Sequence, residues 1–313
     1  MTVAGIADRP ELLLVVLVTE ALLGYPDALH RRIPHPVTWA GSLISRLEHI
    51  WNTGSVPKRR LAGICTLLAV TGSAAGLGIM LETILTGWFG WALLVLIATT
   101  GLAQRSLYFH VRNVLMPLEQ GEIAPARQAL SMIVGRDTEN LDERAIASAA
   151  TESLAESFCD GIVAPAFWFL VAGLPGLFVF KTVSTADSQI GHLDERYRYF
   201  GWAAARCDDV MNFVPARIAG LLICIAGMGG WRIMVRDAAR HLSPNAGWSE
   251  AAMAGALNVQ MGGGATYDGE WIARETLGDG ERPGPGDLKA ALAIYVRACL
   301  ALWLLVGGLI WAL

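Results

Sequence analysis

Residues 162–180 read IVAPAFWFLVAGLPGLFVF, an apolar run interrupted by Pro165, Gly173, Pro175 and Gly176. Proline removes an amide donor and glycine lowers helix propensity, so the interruption breaks what would otherwise be one continuous span. On either side stand two dense polar motifs, ESLAESFCDG (152–161) and KTVSTADSQIG (181–191). A plain crossing would leave these motifs on opposite faces of a membrane. A re-entrant helical hairpin turning at Gly173 to Gly176 would instead return Lys181 and Asp187 to the side of Glu152 and Asp160. Non-helical backbone is tolerated at membrane depth where it is buried in protein or lines a wet cavity. A proline-kinked ordinary span is the alternative.

The rest of the chain fits such a setting. Of 313 residues, 54% are hydrophobic and only 17% charged, with a mean hydropathy of +0.44; soluble domains carry about a quarter charged residues. The fold class expected is an all-α polytopic integral membrane protein with about 4 to 6 hydrophobic helical segments, since roughly 20 apolar residues span the hydrocarbon core. The segments lie near 10–24, 61–80, 84–103, 162–180, 213–230 and 290–312. The fourth and fifth are the re-entrant candidates, the fifth because Pro215 and Arg217 occupy its start. Residues 1–313 are expected to form a single membrane-embedded domain with cytoplasmic polar loops. Between Asp27 and Arg60 lie Arg31, Arg32, Arg46, Lys58, Arg59 and Arg60, whereas the link after residue 80 holds Glu82 and no basic residue, so the basic stretch faces the cytoplasm. The apolar run after Arg9 has no small-residue cleavage site and reads as a retained helix.

The net charge of -4 and the lack of a basic stripe give nucleic-acid binding no support. Five cysteines without a CxxC pair read as reduced, packed thiols. No HExxH, GxSxG or GxxxxGK[ST] pattern occurs, which argues against zinc hydrolysis, a serine hydrolase and a Walker A loop.

Glu152, Glu156 and Asp160 follow one another at i, i+4 and i+8 after an Ala-rich stretch, which predicts three carboxylates on one helix face. Like charges at that spacing repel. Compensation is expected from a divalent metal or from Lys181 and Arg206; a solvated acidic face is the bland alternative. Asp208 and Asp209, with Arg206, Asn212 and Arg217 close in sequence, form a second cluster suited to magnesium and to bidentate anion binding. The bland reading there is an Arg–Asp pair that anchors a helix end. Gly135, Arg136, Asp137 and Thr138 read as a turn that leaves Arg136 able to reach an anion. HLSPNAGW (241–248) and QMGGGATYDG (260–269) combine turn formers with three glycines that can bring amides near a phosphate.

Taken in order, HPVTWAG (35–41), VGRDTENLDE (134–143), the block from Glu152 to Pro165, STADSQIG (184–191), ERYRYFG (195–201), ARCDDVMNFVPAR (205–217) and SPNAGW (243–248) through QMGGG resemble the membrane-bound adenosylcobinamide-phosphate synthase family of cobalamin biosynthesis. The resemblance runs nearly end to end. It implies an ATP-dependent amide ligase that joins aminopropanol, or its phosphate, to a propionate of adenosylcobyric acid, using ATP and Mg2+. Residue chemistry then suggests catalytic roles for Glu152, Glu156, Asp160, Lys181 and Asp187. It suggests substrate binding by Arg136, Asp137, Thr138, Arg206, Asn212, Arg217, Ser243 and Asn245, and metal binding by Glu156, Asp160, Asp208 and Asp209. The expected location is the inner (cytoplasmic) membrane, multi-pass, with the site facing the cytoplasm, where the chain would also meet other cobalamin-assembly membrane enzymes. Tyr25 stands where the family commonly has Asp, and Ser157 and Ser184 where it commonly has Asn. A non-enzymatic signalling or transport protein on the same fold is the competing reading. An Asp-rich prenyltransferase is a further one, weakened by the lack of a DDxxD pattern.

Overall fold

The computed structural model describes residues 9–24, 36–267 and 269–312. Tyr25 to His35, including Asp27, Arg31 and Arg32, lie outside the described residues, as does Asp268. The architecture is helical: α1 Arg9–Leu23, α2 Pro36–Trp51, α3 Val56–Ile84, α4 Gly87–Thr99, α5 Gln104–Glu119, α6 Ile123–Leu130, α7 Glu143–Phe158, α8 Ala164–Ile190, α9 Trp202–Met211, α10 Phe213–Gly227, α11 Trp231–Asp237, α12 Ala246–Leu257 and α13 Pro285–Ala312. Two short antiparallel ladders stand between α12 and α13. In one, β1 (Met261–Gly262) pairs with β4 (Thr276–Leu277); in the other, β2 (Ala265–Tyr267) pairs with β3 (Glu270–Ile272).

Among the described residues four helical stretches are long and apolar enough to cross a membrane: Val56–Ile84, Gly87–Glu119, Glu143–Ile190 and Pro285–Ala312. A fifth appears if α9 and α10 count as one broken span. The protein is a multi-pass, all-α membrane protein. The fifth segment expected from sequence is α10, and the first is a 15-residue helix in its described part.

The chain divides into two compact units, each built from separate stretches. The first comprises residues 1–103, 164–212 and 306–313, and the second comprises 104–163 and 213–305.

In the first unit, the break expected in the 162–180 run is present. Ala172 and Gly173 leave helical geometry (φ -135° and +65°), and a Cβ at Gly176 would stand 2.3 Å from the Trp168 carbonyl oxygen. Eight residues of continuous helix would separate those positions by about 12 Å, so the chain reverses. Ala164 and Phe180, each eight residues from Ala172, accordingly share one buried cluster with Val183 and Met211.

Two ionisable side chains satisfy the backbone at the tip. Glu82 Oε1 accepts the Leu174 amide at 2.8 Å, and Arg9 Nη1 donates to the Val171 carbonyl at 2.5 Å. The acid thus meets the amide end of the second arm and the cation meets the carbonyl end of the first, as helix termini require. Glu82 lies one turn from the end of α3, and a Cβ at Gly78 would meet the Pro175 backbone. The hairpin therefore runs along α3, with its tip at the end of that span opposite the Lys58–Arg60 cluster. At the other end, Gly63 of α3 abuts the Phe200 carbonyl, and Gly201 lies against the Ile190 carbonyl. Missing side chains there let backbones approach closely.

The second unit is held by a different device. α12 packs against α10, α11 and α7 through small residues, with Ala251, Ala252 and Ala254 fully buried. Tyr295 of α13 donates its hydroxyl to the Gln104 carbonyl at 2.7 Å, and its ring meets Phe158 edge-on.

Candidate functional site

The acid face expected along α7 does not form as one face. α7 ends at Phe158, and Asp160 lies in a π turn, Cys159–Val163, that interrupts the α register. Such turns recur at functional sites. Glu152 is 3% exposed, whereas Glu156, one helical turn on, is exposed and Asp160 is half-buried.

Within its own unit Glu152 is compensated by Arg136, a cation not among those expected for it from sequence, whose Nη2 reaches Oε2 at 2.5 Å. Oε1 accepts from Ser148 Oγ at 3.0 Å and from the Gly262 amide at 3.1 Å. The first of three consecutive glycines therefore spends its amide on Glu152. The second, Gly263, spends its own on the Glu275 carbonyl. Asp137 binds the β2–β3 turn: its amide donates to the Thr266 carbonyl, and its Oδ2 accepts the Gly269 amide at 2.9 Å. Thr138 is buried in the same loop.

Around this pair the fold gathers residues that motif reading passed over. Glu250 of α12 is buried, and burial pushes its carboxyl well above the usual range; Glu156 and Glu152 push the same way, with Arg274 and Arg136 opposing. His241 Nε2 lies 3.5 Å from Glu250 Oε1. The Ser243 amide donates to His241 Nδ1 at 3.0 Å, so in the neutral ring the proton sits on Nε2 and faces Glu250. Burial, reinforced by Arg274, lowers the imidazole pKa and favours that neutral form. The available sequence signal was a single acid within an otherwise small, apolar helix, SEAAMAGA, directly after SPNAGW.

Arg217 is presented differently. Its guanidinium lies over Phe213 at 3.7 Å and Trp248 at 4.7 Å, and Nη1 donates to the Phe213 carbonyl and to Asn245 Oδ1 at 3.0 Å. Among the described residues no carboxylate pairs with it. Ser243 Oγ accepts the amides of Asn245 and Ala246, fixing the turn that delivers Asn245. The π turn bearing Asp160 packs against α10, the helix that carries Arg217.

The remaining site candidates belong to the first unit. Lys181 and Asp187 lie on the second arm of the α8 hairpin, and Asp208 and Asp209 on α9, packed against it. Asp187, Asp209 and Lys181 all lie within electrostatic reach of Asp208. Asp208 Oδ2 accepts from the buried Asn212 at 3.0 Å. Arg206 pairs with Asp209 at 3.1 Å on the helix surface, the local anchoring pair that i, i+3 spacing permits.

Among the described residues no group of three His, Cys, Asp or Glu side chains is arranged to hold a metal ion. Of the four acids expected to bind one, Glu156 and Asp160 belong to the second unit and Asp208 and Asp209 to the first. Each unit by itself thus offers two carboxylates, the number of protein ligands that a magnesium ion shared with substrate phosphates takes.

The fold and these clusters define a helical multi-pass membrane protein with buried acids, unpaired or locally paired arginines and no built-in metal cage among the described residues. A family model described as CobD/Cbib protein matches residues 13–295, and the chain belongs to that family, as its motifs led one to expect. Relatives bearing the name cobalamin biosynthesis protein CobD include one from Rhodobacter capsulatus, 46% identical over 303 residues that cover 95% of this chain and 96% of the relative. One from Rhizobium meliloti is 40% identical over 303 residues, covering 92% and 93%. One from Brucella anthropi is 43% identical over 301 residues, covering 91% of each. No solved structure matches the chain.

Proposed function

We propose that this protein acts in cobalamin biosynthesis as an ATP-dependent amide ligase, joining aminopropanol or its phosphate to a propionate of adenosylcobyric acid. The observation that carries the reading is Arg217, held between two aromatic rings and Asn245 with no carboxylate partner among the described residues, in a chain related end to end to the CobD proteins. An arginine kept in that state suits a phosphate or carboxylate of the substrate.

A carboxylate does not react with an amine unaided. ATP would transfer its γ-phosphoryl group to the propionate, releasing ADP. The amine nitrogen would then attack the acyl phosphate, displacing inorganic phosphate and losing a proton. Catalysis of phosphoryl transfer is mainly positioning and charge neutralisation. Magnesium bound to ATP would supply part of that neutralisation, with Asp208 and Asp209, or Glu156 and Asp160, as its protein ligands. Arg217, Arg206 and Lys181 would answer the phosphates and the corrinoid carboxylate. Asp187, Asp160 and Glu156 are the carboxylates suited to accept the amine proton. Glu152 and Arg136 would act by holding the glycine strand and the Asp137–Thr138 turn in place, and Ser243 and Asn212 by fixing Asn245 and Asp208. Because ATP is cytoplasmic, the site would face the cytoplasm, in the inner membrane.

The test is mass spectrometry of the corrinoid after incubating detergent-purified protein with adenosylcobyric acid, ATP, magnesium and either amine. A new amide that requires ATP is expected. No product, in an assay where a CobD relative gives one, would overturn the reading. Asp160→Asn is expected to express normally and lose turnover; wild-type rates would remove the π turn from the mechanism.

A further inference from the structure

A cavity of about 530 Å³ lies in the first unit, outside the clusters described above, lined by Glu48, His49, Asn52, Gly54, Arg59, Glu195 and Arg196. Its acid is already spoken for. Glu48 is buried and held by Arg196 in a two-point pair, Nε to Oε1 at 3.0 Å and Nη2 to Oε2 at 2.9 Å, which keeps its carboxyl below the usual range. Arg59 is fixed but not neutralised: Nε donates to Asn52 Oδ1 at 2.8 Å, and Nη2 donates to the Glu195 and Arg196 carbonyls. All three acceptors are uncharged, and among the described residues no carboxylate pairs with Arg59 or Arg60.

Further cations surround the mouth. Lys58 lies across Gly54, Arg60 stacks over Tyr199 and Trp202, and Arg198 stacks over Tyr199. Against Lys58, Arg59, Arg60, Arg196 and Arg198 stand three acids, Glu48, Asp194 and the exposed Glu195. The site is anionophilic and already organised by its own hydrogen bonds.

Its position selects the kind of anion. The cavity sits at the start of α3, whose apolar window is only 17% buried. Directly beyond Arg60 come Leu61 and Leu68, 63% and 65% exposed and seven residues apart, hence on one helix face. A cationic pocket rimmed by tyrosine and tryptophan and continuing into an exposed leucine stripe has the profile of a lipid: phosphate at the headgroup level, acyl chain below. We infer that this cavity binds the phosphodiester headgroup of an anionic phospholipid, its acyl chain lying along Leu61 and Leu68. The inference rests on the multi-pass fold and is independent of the ligase reading.

The experiment is native mass spectrometry of the full-length protein released from nanodiscs of phosphatidylcholine containing phosphatidylglycerol, with and without soluble glycerol 3-phosphate. Retention of phosphatidylglycerol over phosphatidylcholine is expected, falling about fivefold for each arginine removed. Arg60→Gln is the primary variant, because among the described residues that side chain lies over the Tyr199 and Trp202 rings and ties no backbone together; Arg59→Gln is the second, with its melting temperature recorded because Arg59 also ties Asn52 to the 195–196 backbone. Equal retention of the two lipids, or retention unchanged in Arg60→Gln, would overturn the proposal. So would displacement of the lipid by glycerol 3-phosphate at equal concentration, which would make the site one for a free phosphate ester.

Discussion

Two buried acids of the second unit, Asp237 and Glu250, are treated in opposite ways. Asp237 is fully buried and receives both guanidinium arms of Arg236 at 2.7 Å, the Gly278 amide at 2.8 Å and Arg240 at 3.4 Å. These donors hold its pKa down to about 2, the Arg236 hydrogen bonds leading. Glu250 is nearly as buried but shares its surroundings with Glu152, Glu156 and a neutral-leaning His241, and its carboxyl is pushed up. Burial penalises the charge of both. What separates them is whether cations have been delivered to the same spot, and that separates an anchoring corner from a cluster able to hold a proton.

The strongest way to break the comparison is Arg136→Ala, which would leave Glu152 buried beside Glu250 with its principal cation gone. A loss of about 3–5 kcal/mol is expected, the usual consequence of orphaning a buried ion. Denaturation in detergent would show it, and wild-type stability would mean that the Arg136–Glu152 pair does not hold the folded state together.

Asp237→Asn is next, at roughly 2 kcal/mol. Because its folded pKa lies below the unfolded value, Asp237 contributes stability in full above the unfolded carboxylate range. That contribution is lost as pH falls toward about 2. The acid limb of a stability–pH curve should therefore flatten in the variant; an unchanged limb would contradict the assignment.

Glu82→Ala probes the other unit. It removes the acceptor for the Leu174 amide at the hairpin tip and should cost about 1 kcal/mol, the scale of a lost helix cap. Hydrogen exchange should rise at the Gly173 and Leu174 amides and spare α3; uniform exchange would place the loss elsewhere.

Glu250→Gln should cost least at neutral pH. A raised carboxyl contributes stability at low pH that disappears as pH rises from the unfolded carboxylate range through the folded value. Glutamine mimics the protonated form, so the variant should lose that decline. The response of Glu250 is shared with Glu152, Glu156, His241, Arg136 and Arg274, so a retained decline would shift the proton to another member of the cluster.

Several of these features could be read from the chain alone. Pro175 with Gly173 and Gly176 predicted the reversal because backbone restrictions act at the residue that carries them. Arg206 and Asp209 could be paired from i, i+3 spacing, and Asp208 with Asn212 from i, i+4. The expected acid face failed because the π turn at Cys159 changes the register, and no local signal in CDGIV announced it. Arg136 could be proposed as an anion binder, but its partner Glu152, 16 residues on, is reached through the turn that precedes α7, and the Gly262 amide that completes the cluster comes from 110 residues away.

By itself, then, the sequence determined a helical membrane protein, the point at which its central apolar run turns back, and the motifs that mark its family, because hydropathy, proline and glycine act locally. The tertiary structure decided which charges are matched. Glu82 and Arg9 close the hairpin tip, Arg136 takes Glu152, the Gly278 amide reaches Asp237, and Arg217 and Arg59 receive no carboxylate among the described residues. That outcome depends on which donors long-range packing brings within a few ångströms of a buried acid, and over such distances spacing along the chain carries no information.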